Sequence, residues 1–324
     1  MSSHPHAFLD LISDDLKLVE AKMQAPNEVF QPLAGAIDLL LKSGGKRLRP
    51  ATAMLVGKFF PNIDKERLVS LAAAIETLHT ATLVHDDLVD GSLMRRGHPT
   101  LNATWSTGAT VLAGDFVFAR AAYFAAETDN VRVMRIFAQT LMTICEGELR
   151  QLYDLRNWDQ PKEAYFRRIY GKTAALFAAA TESAAVLGTD DEAVISAMRD
   201  YGYNLGMAFQ IMDDILDFVG DEVVLGKPVG SDLRQGTVTL PVFHYLQAHP
   251  EAIQIMRAAG RGNGADEALN QLIRDIGRSP AIEATREDAL AFVAAAKDAL
   301  RIMPDNIYRQ ALADLADYVV RRSM

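Results

Sequence analysis

The chain has 324 residues, 49% hydrophobic and 23% charged, ample for a large buried core. Its formal net charge of -9 leaves no broad basic field, which excludes nucleic acid as a partner. A single cysteine, Cys145, excludes an intramolecular disulfide and a cysteine-based zinc cluster; it suits a reducing compartment and reads as a small buried hydrophobe.

The N-terminal stretch "MSSHPHAFLDLISDDLKLVE" is acidic and amphipathic. It lacks the basic start and apolar stretch of a signal peptide and is too acidic for a transit peptide, so a soluble cytoplasmic protein is expected. Helices are predicted over 5–24, 28–43 and 50–59, with "SGGKRLRP" as the break before the third. In "DKERLVSLAAAIETLHTATLVHDDLVD", Leu68, Leu71, Ile75, Leu78 and Thr82 recur at spacings of three and four, an apolar helix face. Asp64 can cap this helix, although Arg67 replaces the Glu of a full capping box. Further helices are predicted over 105–127, 130–154, 162–187, 190–219, 233–247, 264–277, 280–302 and 305–321. The breaks between them contain Gly, Pro, Asn or Asp. No convincing period-2 strand, solenoid repeat or Pro/Gly/Ser-rich linker separates them, and no run approaches the ~18 uncharged apolar residues of a membrane span. These patterns predict one all-α domain over 1–324 with a central bundle of long helices.

The charged residues are clustered. "HDDLVDGSLMRRG" sets Asp86 and Asp90 four apart, on one helix face, with Asp87 to the side. Carboxylates at a helix C-terminus oppose the helix dipole, and the sequence upstream looks buried, so the cluster calls for a cation. Hard oxygen ligands in that number suit magnesium, which keeps waters and phosphate oxygens. "FQIMDDILDFVGD" repeats the arrangement with Asp213, Asp214 and Asp217. Two such clusters on long helices suggest facing walls of one cavity, where bridging metal can bind a polyanion. Separate cations imply a second anion. Lys46, Arg47 and Arg49 lie on the glycine turn of "SGGKRLRP", Arg95 and Arg96 follow the first cluster, and Lys172 and Lys227 occupy "GKT" and "LGKPVGSDLRQGT". "GKT" resembles the end of a P-loop, but Phe166 stands where the earlier glycine is needed and no strand precedes it.

Taken in order, "GGKRLRP", "LHTATLVHDDLVDGSLMRRG", "GKT", "FQIMDDILD" and "GKPVGSDLRQGTVTLP" resemble the trans-isoprenyl diphosphate synthases, the polyprenyl synthetase family, over nearly the whole chain. The resemblance implies the isoprenoid synthase fold, long helices around a deep central cavity, and a homodimer. It implies head-to-tail addition of isopentenyl diphosphate to an allylic diphosphate, with release of pyrophosphate. It assigns Asp86, Asp90 and Asp213 to three Mg2+ ions, supported by Asp87 and Asp217. Arg95, Lys172 and Lys227 would hold the allylic diphosphate; Lys46, Arg49, His79 and Arg96 would hold isopentenyl diphosphate. Thr173 and Gln210 would lie beside the reacting allylic carbon, offering lone pairs to the developing cation. His79 sits about two turns before Asp86 on nearly the same face. His85 points elsewhere and reads as structural, as Tyr201, Tyr203 and Met207 read as core. Many relatives carry a lysine where this chain has Thr237, which removes a secondary phosphate contact but not the reaction.

Product length is expected to depend on the helix before Asp86. In the family, bulky aromatic residues at the positions of Ala81 and Thr82 form a floor that limits the product to short chains. Both residues are small here, so the floor lies deeper, at Leu78 or Ile75 or on a facing helix, and a medium- or long-chain product is expected. The alternatives are a farnesyl or geranylgeranyl synthase, a terpene cyclase, or a regulatory subunit of a heteromeric synthase. A cyclase would normally lack "DDILD", and regulatory subunits typically lose the aspartates. With no membrane span, contact with a lipid surface would be peripheral, at product release.

Overall fold

A computed structural model describes residues 7–25, 28–42, 45–220, 228–259 and 265–321. Lys227, one of the expected phosphate-binding cations, lies outside them. The chain divides into two compact units, residues 1–139, 176–202 and 300–314, and residues 140–175, 203–299 and 315–324.

Both units are helical, as expected. The first unit opens with α1 (Ala7–Asp10), α2 (Ser13–Met23), α3 (Gln31–Lys42) and α4 (Leu48–Gly57). The single helix expected over 5–24 breaks at Ile12, whose backbone leaves helical geometry at φ -129° while its side chain enters the core. Next comes α5 (Lys65–Val89), capped as predicted: the Asp64 carboxylate accepts from the backbone N–H groups of Glu66 at 2.9 Å and Arg67 at 3.2 Å. The sequence suggests one apolar face, but every residue from Leu68 to Leu78 is buried. A helix buried all round is a core helix, and Ala72, Ala73 and Ala74 let its neighbours approach on every side.

After α5 the chain makes a short ribbon, β1 (Met94–Arg95) and β2 (His98–Pro99), where no strand was expected. Its tip, Arg96–Gly97, has positive φ at both residues, 51° and 80°, the pattern of a type I′ hairpin turn. Then follow α6 (Leu101–Thr104) and α7 (Thr107–Ala126), which packs on α5 through buried Ala113, Gly114, Val117, Ala121 and Ala125. By length and composition α5 and α7 could each cross a membrane. In α5 the apolar window is 78% buried, in α7 only 39%, so α7 keeps an apolar face outward.

α8 (Val131–Tyr153) contributes residues to both units, and Cys145 on it is exposed rather than buried as expected. The reason is helical phase, since its neighbour Ile144 takes the buried position. In the second unit, α9 (Lys162–Ile169) continues into a π turn, Tyr170–Ala174; α10 (Ala175–Gly188), which follows, belongs to the first unit from Leu176 on. α11 (Glu192–Val219) carries the second acidic motif. The helix expected over 233–247 is two, Ser231–Gln235 and Leu240–Ala248, because Gly236 takes φ 99° between them. Phe218, Leu233, Val238, Val242, Leu272 and Ile276 form the apolar core behind that motif.

Candidate active site

In the first unit, the last turn of α5 presents the acidic motif. Asp86 is half-buried, Asp90 is exposed as the C-cap, and the two share a face. Asp87 turns inward: buried, it accepts a 2.8 Å bond from Arg95 Nε. Burial pushes its pKa up against the opposing pull of Arg95. Arg95, expected on the allylic diphosphate, is thereby held to the α5 terminus.

Two of the cations expected on isopentenyl diphosphate, Arg49 and Arg96, act electrostatically on His79. Gly45 approaches Arg96 so closely that a Cβ there would lie 3.0 Å from a guanidinium nitrogen. Arg49 stacks its guanidinium 4.7 Å from the centre of the Phe177 ring, a cation–π contact. Burial first, then Arg49, Arg96, Arg95 and Arg47, hold the His79 pKa well below its ordinary value. Burial and the nearby positive charge together favour the neutral imidazole. Lys46 is exposed. Arg47 and Arg96 are non-glycine residues in the left-handed region, at φ 49° and 51°, a strain of order 1–3 kcal/mol each that clusters at binding sites. Arg47 itself is a correction to the sequence reading. Its Nη1 donates to Glu76 at 2.7 Å, its Nη2 to the Leu41 carbonyl at 3.0 Å, and Glu20 is 3.4 Å away, so it anchors the turn.

In the second unit the π turn sets the geometry. A Cβ on Gly171 would meet the Thr143 carbonyl at 3.0 Å and Gly147 Cα at 3.1 Å, tighter than ordinary contact, so glycine here lets α8 cross closely. The inserted residue of the π turn re-aims Lys172 and Thr173, a frequent feature of functional sites. Lys172 Nζ lies 3.3 Å from Glu148 and 3.4 Å from Gln151. The Thr173 hydroxyl donates to Gln210 Oε1 at 2.6 Å, bringing together the two residues expected at the reacting carbon. Gln210 Nε2 donates to Asp214 Oδ1 at 2.9 Å, and the Tyr165 hydroxyl donates to Asp214 Oδ2 at 2.8 Å. Burial pushes the Asp214 pKa up to about 7, opposed by the Gln210 and Tyr165 bonds.

The two remaining motif aspartates differ. Asp213 is half-buried, whereas Asp217, expected as a metal ligand, is buried; its Oδ2 accepts from Asp232 N–H at 3.1 Å and its carbonyl from Gly230 N–H at 2.6 Å. Asp217 thus fixes the turn that begins the helix Ser231–Gln235. Thr237, in the next turn, donates its backbone N–H to the Asp232 carbonyl at 2.8 Å.

Among the described residues no three His, Cys, Asp or Glu side chains converge to cage a metal. The all-oxygen donors Asp86, Asp90 and Asp213 suit a hard cation.

The residues expected to set product length line α5 before the motif. Ile75, Leu78 and Ala81 are buried, and half-buried Thr82 donates its hydroxyl to the His79 carbonyl at 2.8 Å. Ala81 packs on Ile37 of α3 and Val117 of α7. Those two residues, with Leu40, Leu41, Thr77 and Thr80, also line an apolar cleft. His85 approaches the Val111 carbonyl at 3.4 Å and Asp115 at 3.5 Å, which supports its structural reading. Tyr201 and Met207 are core residues, Tyr203 is half-buried.

Sequence reasoning passed over Tyr165 and Glu76, and placed Asp214 in the second acidic cluster without its link to Gln210. The i,i+4 spacing of Gln210 and Asp214 was a usable signal. Nothing local marks Tyr165 or Glu76, whose partners are distant in sequence.

A polyprenyl synthetase family model matches residues 30–276. Component 2 of the heptaprenyl diphosphate synthase of Geobacillus stearothermophilus is 39% identical, covering 98% of this chain and 98% of that protein. The octaprenyl diphosphate synthase of Escherichia coli is also 39% identical, covering 87% and 88%. Among solved structures, a polyprenyl synthase from Caulobacter crescentus, complexed with calcium and isoprenyl diphosphate, matches with a TM-score of 0.88 and 38% identity over 99% of each chain. With the family model spanning most of its length and these relatives matching nearly all of it, the chain belongs to the polyprenyl synthetase family.

Proposed function

We propose that this chain is a medium- or long-chain trans-polyprenyl diphosphate synthase that condenses isopentenyl diphosphate head-to-tail with an allylic diphosphate. The observation that carries the reading is that Arg49, on the Phe177 ring, and Arg96, against Gly45, lie near the exposed Lys46 turn, a cationic group separate in sequence from the "GKT" cation Lys172. Two diphosphates need two cationic sites, and a cyclase needs only one.

Asp86, Asp90 and Asp213 would hold magnesium, three ions by family resemblance, with Asp87 and Asp217 in support. Magnesium, when bound, supplies positive charge against the diphosphate and the departing pyrophosphate. Lys172, Lys227 and Arg95 bind the allylic diphosphate, and Lys46, Arg49, His79 and Arg96 bind isopentenyl diphosphate. As the allylic C–O bond breaks, Thr173 and Gln210 present oxygen lone pairs to the cation that develops. The alkene of isopentenyl diphosphate attacks it, forming the new C–C bond, and a proton passes to the released pyrophosphate. Holding both substrates aligned supplies much of the rate.

A product of thirty carbons or more is supported by small Ala81 and Thr82, where a bulky floor would stand in a short-chain enzyme. Heptaprenyl and octaprenyl products in the names of two relatives agree. A homodimer is supported by the outward apolar face of α7, which carries Val111, Leu112 and Tyr123. The lone cysteine fits work in the cytoplasm. A second reading, in which another subunit is required, is favoured by the word "component" in the name of one relative. The test is to incubate the purified chain with radiolabelled isopentenyl diphosphate and each allylic primer, then chromatograph the products. Magnesium-dependent elongation by the chain alone is expected. Full activity in EDTA would refute the metal reading, and elongation only after a cell extract is added would favour the two-subunit reading.

A further inference from the structure

We propose that Asp214 and Tyr165 are positioning residues that hold the Gln210 amide with its carbonyl oxygen, rather than its NH2 group, toward Thr173 and the reacting allylic carbon. The proposal rests on the prenyltransferase reading above. A glutamine amide has an acceptor end and a donor end of nearly the same shape, so its partners decide which way it faces. Burial raises the Asp214 pKa, but the Tyr165 and Gln210 bonds oppose that rise, and the carboxylate that accepts both of them is the ionised form, which can only accept. Asp214 uses one oxygen for the Tyr165 hydroxyl at 2.8 Å and the other for Gln210 Nε2 at 2.9 Å. Reversing the amide would set two oxygens against each other at Asp214.

The carbonyl is therefore left for Thr173, whose hydroxyl donates to it at 2.6 Å. That bond turns the threonine proton inward. The oxygens of Thr173 and Gln210 then keep lone pairs for a developing positive charge. A reversed amide would donate to Thr173 Oγ1, turn the hydroxyl proton outward and present the positive end of both dipoles to the cation. Orientation, not mere presence, is what makes such dipoles useful in a transition state.

The support is rigid. Tyr165 and Asp214 are buried, where hydrogen bonds are stronger than in water. The Tyr165 ring is held edge-on to Phe166 at 5.3 Å and Phe243 at 6.0 Å. A buried carboxylate is costly, and an apolar residue would fill that place at less expense. Control of the Gln210 amide gives this carboxylate a use distinct from that of its neighbour Asp213.

Steady-state kinetics at saturating magnesium test the idea with Asp214→Asn, Tyr165→Phe, Gln210→Leu and each of the first two combined with Gln210→Leu. Asparagine has a single oxygen, so it can accept from only one of the two donors, and its NH2 group can satisfy a reversed Gln210 amide, which removes the control of direction. Asp214→Asn should lower kcat roughly tenfold to a hundredfold, with KM for both substrates and the magnesium midpoint within about twofold. Tyr165→Phe should lower kcat by roughly threefold to tenfold in the same pattern. Neither change should cost anything further once Gln210 is leucine, because a residue acting through another loses its effect when that other is gone. Losses that multiply in the double variants, or an Asp214→Asn defect rescued by excess magnesium, would overturn the proposal. Should Asp214→Asn lose its helical circular dichroism, the isosteric Tyr165→Phe pair decides alone. Wild-type kcat in Gln210→Leu would instead overturn the role of Gln210 in the parent reading.

Discussion

Ala81→Phe tests the link between α5 and product length. Ala81 is 0% exposed and packs on Ile37 and Val117, with Leu40, Leu41, Phe116 and Phe118 close by. It precedes Asp86 by little more than one turn, ~7.5 Å along the axis at ~1.5 Å per residue. Thr77, in the cleft lining, is another turn deeper, at ~13.5 Å. One turn of roughly 5 Å accommodates about one isoprene unit. On the proposed reading the growing chain runs along this face, so a phenyl ring at Ala81 should shorten the main product from thirty carbons or more to roughly fifteen or twenty. The ring also overfills a packed position, so a loss of ~1–3 kcal/mol of stability should accompany the change. Reversed-phase chromatography of the dephosphorylated products reads the first effect and urea unfolding the second. Ala81→Ser, nearly equal in size, should leave product length unchanged. A destabilised Ala81→Phe variant that still made the wild-type distribution would show that this helix face does not wall the growing chain.

Asp86→Ala and Asp213→Ala should each lower turnover on the order of a thousandfold or more, with helical circular dichroism retained; near-normal turnover in either would remove that aspartate from the metal site. Lys46→Ala should raise KM for isopentenyl diphosphate more than for the allylic substrate, and Lys172→Ala should do the reverse or lower kcat. Identical effects on both substrates would count against two pockets. Arg47→Ala leaves buried Glu76 without its 2.7 Å partner, so urea unfolding should report a loss of ~3–5 kcal/mol, and Arg47→Met with Glu76→Leu should recover most of it; a loss under ~1 kcal/mol would argue against an anchoring pair. Folding lowers the His79 pKa, so below about pH 6.5 the unfolded chain takes up a proton that the folded chain refuses. Stability should be full above that pH and fall below it by up to ~1.4 kcal/mol per unit, a slope that His79→Gln should remove when melts at pH 7 and 5.5 are compared.

The helices, the Asp64 cap, both acidic motifs and the glycine turns are properties of residues close in sequence. Their rules are local: helical period, capping preference, and the i,i+4 pairing that aligns Asp86 with Asp90. Composition likewise determined the all-α class. Tertiary structure alone decided which charged residues serve as scaffold. Arg47 follows Lys46 in the same turn, yet its partner Glu76 comes from another helix, so no local pattern separates the two. Asp214 and Asp217 match Asp213 in type, but burial and the donors that meet them, Tyr165 from α9 and the N–H of Asp232, give each a different task. The strand-free expectation missed the ribbon that carries Arg95 and Arg96, because its two-residue strands are too short for any period to register. Exposure of Cys145 and the outward face of α7 depend on which neighbour occupies each side of a helix. That is decided by long-range packing, on which the order of residues along one helix is silent.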